Sequence, residues 1–284
     1  MNPLYAVLLG IIQGITEFLP ISSTAHLTLA GKFLGFIDPQ HPEIWTQFIA
    51  VMQLGTLGAV IIYFWRDIIS MTVSIFQDLR TNGSGNGWKG YTMDSRLAVY
   101  IAIGTLPVGV VGFAMKHVIE GALTKSIVVI MSSLILLALL LWFAEKVSKH
   151  LRTFEQLNWL DGLVVGIAQV LSLIPGSSRS GTTMTAGLFM GLTRNAAARF
   201  SFLLSIPAVL ASGLYEMSKI HTSVFELGIT SLAIATVVSA LAGYAAIAWL
   251  LRFLMKNTTM LFVFYRIALG LFLGAMLLLR VIEP

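Results

Sequence analysis

The chain has 284 residues, 57% of them hydrophobic and only 11% charged, and its mean hydropathy is +0.86. A soluble domain carries about 25% charged residues, so this composition excludes a soluble globular fold and calls for a bilayer as solvent. Net charge is +5, with basic residues in short gaps between apolar runs, a pattern that suits membrane topology better than a nucleic-acid partner.

There are no cysteines, which excludes a disulfide framework, a thiolate metal site and a cysteine nucleophile. The start, Met1 to Gly10, lacks a basic region and a small-residue cleavage site and does not read as a removable signal peptide.

The first apolar segment, Leu4 to Phe36, is broken in its middle by EFLPISSTAH (Glu17 to His26). Three unbroken stretches follow, Ile44 to Trp65, Leu97 to Lys116 and Ile127 to Ala144, each near the 20 residues that spanning requires. A second broken segment, Leu160 to Leu192, carries IPGSSRSGTT (Ile174 to Thr183). Three more spans then follow: Arg199 to Met217, Leu227 to Leu251 and Met260 to Leu279. Proline and hydroxyl-rich turns at membrane depth need protein or a water-filled cavity around them. Both breaks are therefore expected to form re-entrant helix–turn–helix hairpins. The longest loop, Arg66 to Arg96, contains TNGSGNG (Thr81 to Gly87), a turn-rich connector.

The two breaks resemble each other. GIIQGITEFLPISST from Gly10 aligns with GIAQVLSLIPGSSRS from Gly166 with one gap. That alignment pairs Gln13 with Gln169, Pro20 with Pro175, and Ser22 and Ser23 with Ser177 and Ser178. The expected fold is an all-α polytopic membrane protein with six transmembrane helices and two re-entrant hairpins in an inverted repeat. One domain covers 1–284, with halves at about 1–145 and 146–284 sharing a core. A hairpin plus three spans inverts the second half. On that topology eleven loop Lys and Arg residues fall on one side and five on the other. The richer side is expected to be cytoplasmic, with both termini and the open side of the first hairpin outside.

Few ionisable residues lie at membrane depth: chiefly Glu17, His26, Arg179 and Arg266. Burying charge in lipid costs at least about 2.5–3.5 kcal/mol on insertion scales. If the hairpins meet, Glu17 and His26 face Arg179 across a ring of hydroxyls: Ser22, Ser23, Thr24, Ser177, Ser178, Ser180, Thr182 and Thr183. Helix N-termini, an arginine and hydroxyls make an anion pocket, and phosphate is the obvious anion. A carboxylate and an imidazole add a general base and acid, and a hydroxyl or water supplies the nucleophile. Plainer roles exist beside these: Glu17 as a structural partner of Arg179, serines as helix caps, and Gln13, one turn before Glu17, as a partner of a neighbouring helix where it does not orient the carboxylate. Arg266 reads as a snorkelling residue near a helix end, and Gly187 with Gly191 as a close-packing GxxxG pair.

QGITEFLPISSTAHL (Gln13 to Leu27) and PGSSRSGTTMTAGLFMGLTRNAAARFSFLLSIP (Pro175 to Pro207) resemble the bacterial undecaprenyl-diphosphatase family, known for bacitracin resistance. The likeness extends to FIAVMQLGTLGAV and the closing YRIALGLFL, nearly the whole chain. It implies hydrolysis of undecaprenyl diphosphate at the outer face of the bacterial inner membrane. The products are undecaprenyl phosphate, recycled for cell-wall synthesis, and inorganic phosphate. Glu17, Ser23, His26 and Arg179 fall on the family's catalytic positions, with Gln13, Ser22, Thr24, Ser178, Ser180 and Thr183 beside them as substrate-binding residues. Gln13 takes the glutamine variant of the family's [E/Q]xxxE motif, leaving one carboxylate. A divalent cation, Mg²⁺ or Ca²⁺, is then expected to bind mainly through the substrate's phosphates. The expected partners are the polyprenyl diphosphate, membrane lipids and a second copy in a homodimer, with no nucleic acid. The alternative is a transporter or lipid flippase on an inverted repeat, which would not need the Glu–His–Arg–Ser set.

Overall fold

A computed structural model describes all residues except 39, 83–89, 117, 119–125, 219–227 and 283–284. The chain is helical: α1 (Pro3–Phe18), α2 (Ser23–Phe33), α3 (Pro42–Tyr63), α4 (Trp65–Asn82), α5 (Met93–Ala114), α6 (Ile127–Val147), α7 (Trp159–Val170), α8 (Arg179–Phe189), α9 (Arg194–Ser218), α10 (Ile229–Leu254) and α11 (Met260–Leu278). Six of these are long and apolar enough to cross a membrane: α3, α5, α6, α9, α10 and α11. They match the six expected spans to within a few residues at the described ends. Leu227, the expected start of the fifth, lies outside the described residues, as do Lys89, Lys125 and Lys219.

The broken segments form helix–turn–helix units. Asn2 caps α1 by accepting from Leu4 N–H at 2.9 Å, with Pro3 at the first helical position. The helix stops because Leu19, preceding Pro20, is extended at φ −67° and ψ 139°. After the turn, Ser22 starts α2; in the second unit Ser178 starts α8. The two helices, Ser23–Phe33 and Arg179–Phe189, are displaced by 156 residues at both ends.

The same displacement relates the positive-φ residues Ser22 and Ser178 (75° and 68°), and Gly35 and Gly191 (69° and 80°). It also relates Gln13 to Gln169. The local geometry therefore recurs without a gap, and Ser22 corresponds to Ser178, not to Ser177 as aligning the prolines suggests. Gly191 is correspondingly a helix-ending residue. A Cβ there would meet only Arg152 Cδ at 3.8 Å, so its role is the left-handed turn, not GxxxG packing.

Each hairpin's first helix packs on a span from the other half of the chain: α1 on α10, and α7 on α5. Gly10 and Gly166 permit these contacts, since a Cβ would lie 2.6 Å from Ala235 O in one case and 2.4 Å from Gly104 in the other. One buried cluster runs from Phe18 and Ile21 through Leu141 and Phe200 to Val263. Residues from both ends of the sequence thus share a core.

The segment expected as the longest loop is largely the helix α4. Its residues Trp65, Ile69, Val73 and Phe76 recur at helical spacing and stay exposed, a stripe too diluted by charge to read as a span. The opposite face is tied down: Asp78 accepts from Ser95 Oγ at 2.6 Å and from Thr92 N–H at 2.8 Å, and Ser70 donates to Asp94. Those donors, the Ser95 hydroxyl first, hold the Asp78 carboxyl below the usual carboxylate range. The stabilisation that Asp78 contributes is fully present at neutral pH and fades as pH falls through that lowered value. Thr81 and Asn82 end α4, and the remainder of the TNGSGNG connector lies outside the described residues.

Ion pairs gather where α6 ends and α7, α9 and α11 begin. Arg194 meets Glu145, which also accepts from Thr259 Oγ1 at 2.7 Å. Arg152 grips Asp161 through both terminal nitrogens, at 2.7 and 2.6 Å.

Candidate active site

Glu17 lies in the last turn of α1, where the helix unwinds at Leu19. One carboxylate oxygen, Oε2, accepts from Gln13 Nε2 at 3.0 Å and from Ser23 Oγ at 2.7 Å. The other, Oε1, is 3.3 Å from Arg179 Nη1 of the second hairpin, with side-chain exposures of 8% for Glu17 and 20% for Arg179. The structure thus brings together Gln13, Glu17, Ser23 and Arg179. Ser201, Phe202 and Ser205 of α9 complete a small cleft with Glu17, Phe18, Arg179 and Ser180.

Ser22 and Ser178 serve as helix caps, their Oγ atoms accepting from Ala25 N–H at 3.3 Å and Gly181 N–H at 3.2 Å. Caps normally adopt extended backbone. These two occupy the left-handed half of the map, a conformation costing on the order of 1–3 kcal/mol that clusters at functional sites. The next amides, of Ser23, Thr24, Arg179 and Ser180, have no intrahelical acceptor by helix geometry. Two helix N-termini of this kind favour an anion.

Ser180 Oγ crosses between hairpins to donate to Leu19 O at 3.1 Å and lies 3.2 Å from Ser178 Oγ. Thr183 is fully buried; its hydroxyl lies 2.7 Å from Arg179 O and 2.5 Å from Ser201 Oγ. Thr24 is half-buried in the first turn of α2. His26 is turned elsewhere: Nδ1 bonds Ser22 O at 2.7 Å and Nε2 bonds the Tyr265 hydroxyl at 2.6 Å.

Arg266 does not snorkel. It is wholly buried and donates to backbone carbonyls of both breaks: Ser177 O at 2.9 Å, Gly176 O at 3.4 Å and Pro20 O at 3.5 Å. It also reaches Ser133 O at 3.4 Å and Leu134 O at 3.3 Å on α6. A broken helix leaves carbonyls without partners, and one guanidinium with five donors serves both turns at once. Gly181 makes room for it, since a Cβ there would lie 2.7 Å from Nη1. Arg266→Lys retains charge but loses the fork. It is expected to lower stability by roughly 3 kcal/mol, the scale of one or two hydrogen bonds from a charged group, read as a lower melting temperature in detergent. Unchanged melting would contradict the clamp.

Tyr265, Ser201, Ser205 and the role of Arg266 are not legible as site features in the sequence. Polar residues inside otherwise apolar helices were the only signal, and their partners lie far away in the chain. For a cation, Glu17 offers one carboxylate, and the Gln13 amide oxygen beside it is buried without a hydrogen-bond partner. Among the described residues there is no cluster of three or more His, Cys, Asp or Glu suited to a metal. The donor set fits a hard divalent ion only if further oxygens come from the ligand.

A family profile described as bacitracin resistance protein BacA matches residues 6–272. A protein named undecaprenyl-diphosphatase from Syntrophobacter fumaroxidans is 52% identical over 98% of this chain and 97% of its own length. Proteins of the same name from Myxococcus xanthus and Chloroherpeton thalassium are each 46% identical over all of this chain, covering 92% and 99% of their own lengths. With such coverage, and with Glu17, Ser23 and Arg179 gathered at the paired breaks, the chain belongs to the bacitracin resistance protein BacA family.

Proposed function

We propose that this protein hydrolyses undecaprenyl diphosphate to undecaprenyl phosphate and inorganic phosphate, the activity named in its relatives. The observation that carries the mechanism is a single carboxylate, Glu17, bonded to Ser23 Oγ at 2.7 Å and paired with Arg179 at 3.3 Å. That geometry joins a base to a hydroxyl nucleophile and to a guanidinium that binds phosphate. Ser23 Oγ attacks the terminal phosphorus while its proton passes to Glu17. The Oγ–P bond forms, the anhydride P–O bond breaks, and undecaprenyl phosphate leaves. Water then cleaves the phosphoserine, releasing inorganic phosphate and restoring Ser23. Arg179 and the free amides of the two helix starts stabilise charge on the transferring phosphoryl group. His26 assists proton transfer. Glu17 and the Gln13 amide oxygen would hold a divalent cation together with the diphosphate. Such an ion would offset phosphate charge.

Product analysis after incubation with undecaprenyl diphosphate and Mg²⁺ in detergent micelles tests this reading. Equimolar undecaprenyl phosphate and inorganic phosphate are expected. Unchanged lipid would overturn it and favour transport, since micelles have no second leaflet.

The end of the molecule rich in ion pairs is assigned to the cytoplasm, and the opening of the first hairpin to the outer side, from the loop charge asymmetry. The chain has no cysteines, so Arg80→Cys and Arg280→Cys each introduce a single label site. An impermeant maleimide on spheroplasts is expected to label the second and spare the first. The reverse pattern would invert the topology.

A further inference from the structure

His26 has two ring nitrogens, and its surroundings determine what each carries. Nδ1 lies 2.7 Å from Ser22 O, and a carbonyl only accepts, so Nδ1 bears the proton. In the neutral ring Nε2 is then the basic atom. That atom is already engaged: the Tyr265 hydroxyl is 2.6 Å away, and the two rings lie within 9° of parallel with centroids 5.6 Å apart. Tyr265 comes from α11, one residue before the Arg266 clamp, so the element that fixes both turns also fixes this contact. The Tyr265 side of the pair is open, with 44% of the residue exposed.

We propose that Tyr265 is a positioning residue for His26: it fixes the Nδ1–H tautomer, holds the ring plane, and occupies Nε2, so that proton exchange with the ring passes through its hydroxyl. While the ring is neutral the Tyr265 hydroxyl donates to Nε2. Once Nε2 is protonated it becomes a donor, and the same hydroxyl rotates to accept from it. A proton bound for His26 therefore enters at the tyrosine oxygen as the tyrosine's own proton moves to Nε2. No charge develops on the phenol, and the positive charge ends on the imidazole. Return of the proton runs the same two bonds backwards. This inference rests on the assistance assigned to His26 under the proposed function.

Tyr265→Phe removes only the hydroxyl at a half-exposed position and is expected to keep the fold, as checked by melting in detergent. With undecaprenyl diphosphate as substrate, kcat should fall by about tenfold or more, a share of the 10²–10⁴ that acid–base groups supply, with KM nearly unchanged. His26→Gln combined with Tyr265→Phe should be no slower than His26→Gln alone. Selective ¹⁵N-histidine NMR should show His26 of the wild type as the Nδ1–H tautomer with a hydrogen-bonded Nε2. The Nε2 signal should move to that of a free acceptor in Tyr265→Phe. An Nε2–H tautomer in the wild type, or an Nε2 signal indifferent to the substitution, overturns the inference. So does full activity of Tyr265→Phe beside a disabled His26→Gln. Full activity of His26→Gln instead overturns the role given to His26, and this inference with it.

Discussion

Glu17→Gln is expected to reduce phosphate release by about 10³-fold, because the amide keeps the size of the side chain but cannot take a proton. Ser23 would retain a hydrogen-bond acceptor 2.7 Å away and lose its base. The effect should fall on kcat. Glu17 pairs with Arg179 and is also assigned to the cation that accompanies the diphosphate, so its loss both lifts a repulsion and weakens that cation's hold, and KM should change far less than kcat. Steady-state phosphate assays across substrate concentration separate the two. A large rise in KM with kcat preserved would show that Glu17 holds substrate and does not act in the chemical step.

Arg179→Lys should cost about 10²-fold or more in kcat/KM despite unchanged charge. The guanidinium spends Nη1 on Glu17 and still has donors in a fixed plane for phosphate oxygens; an ammonium on a flexible stem cannot serve both geometrically. Removing a single well-placed donor from a charge-stabilising site costs a comparable factor. The side chain is one-fifth exposed, so the lysine can reach water and folding should survive. Turnover near wild type in that variant would exclude an arginine clamp.

Much of this architecture is legible in the sequence, for physical reasons that differ by element. Spanning helices announce themselves because a bilayer demands a run of apolar residues, and α6, from Ile127 to Val147, has little else. The breaks are visible because Pro20 and Pro175 interrupt such runs beside hydroxyls. Helix α4 is hidden, since Trp65, Ile69, Val73 and Phe76 form one apolar stripe among charges, and average hydropathy erases it. The register of the repeat is misread for a simple reason. Prolines are the conspicuous residues, but the backbone is organised by the serine caps, Ser22 and Ser178, at positive φ.

Arg266 and Tyr265 show the limit most clearly. Which carbonyls a turn leaves unsatisfied, and which distant side chain answers them, depends on helices more than two hundred residues apart in sequence coming into contact. No local pattern encodes that. The pairing of Glu17 with Arg179 was accessible only because intramembrane charges are rare and need partners.

The most direct measurement is a double-mutant cycle on phosphate release: wild type, Glu17→Gln, Arg179→Lys and the double variant, each assayed with undecaprenyl diphosphate and Mg²⁺. Groups that act as one unit give grossly non-additive losses. The double variant is predicted to be about as slow as the slower single variant. Losses that multiply would mean that Glu17 and Arg179 act independently, and would contradict a single site assembled from both hairpins.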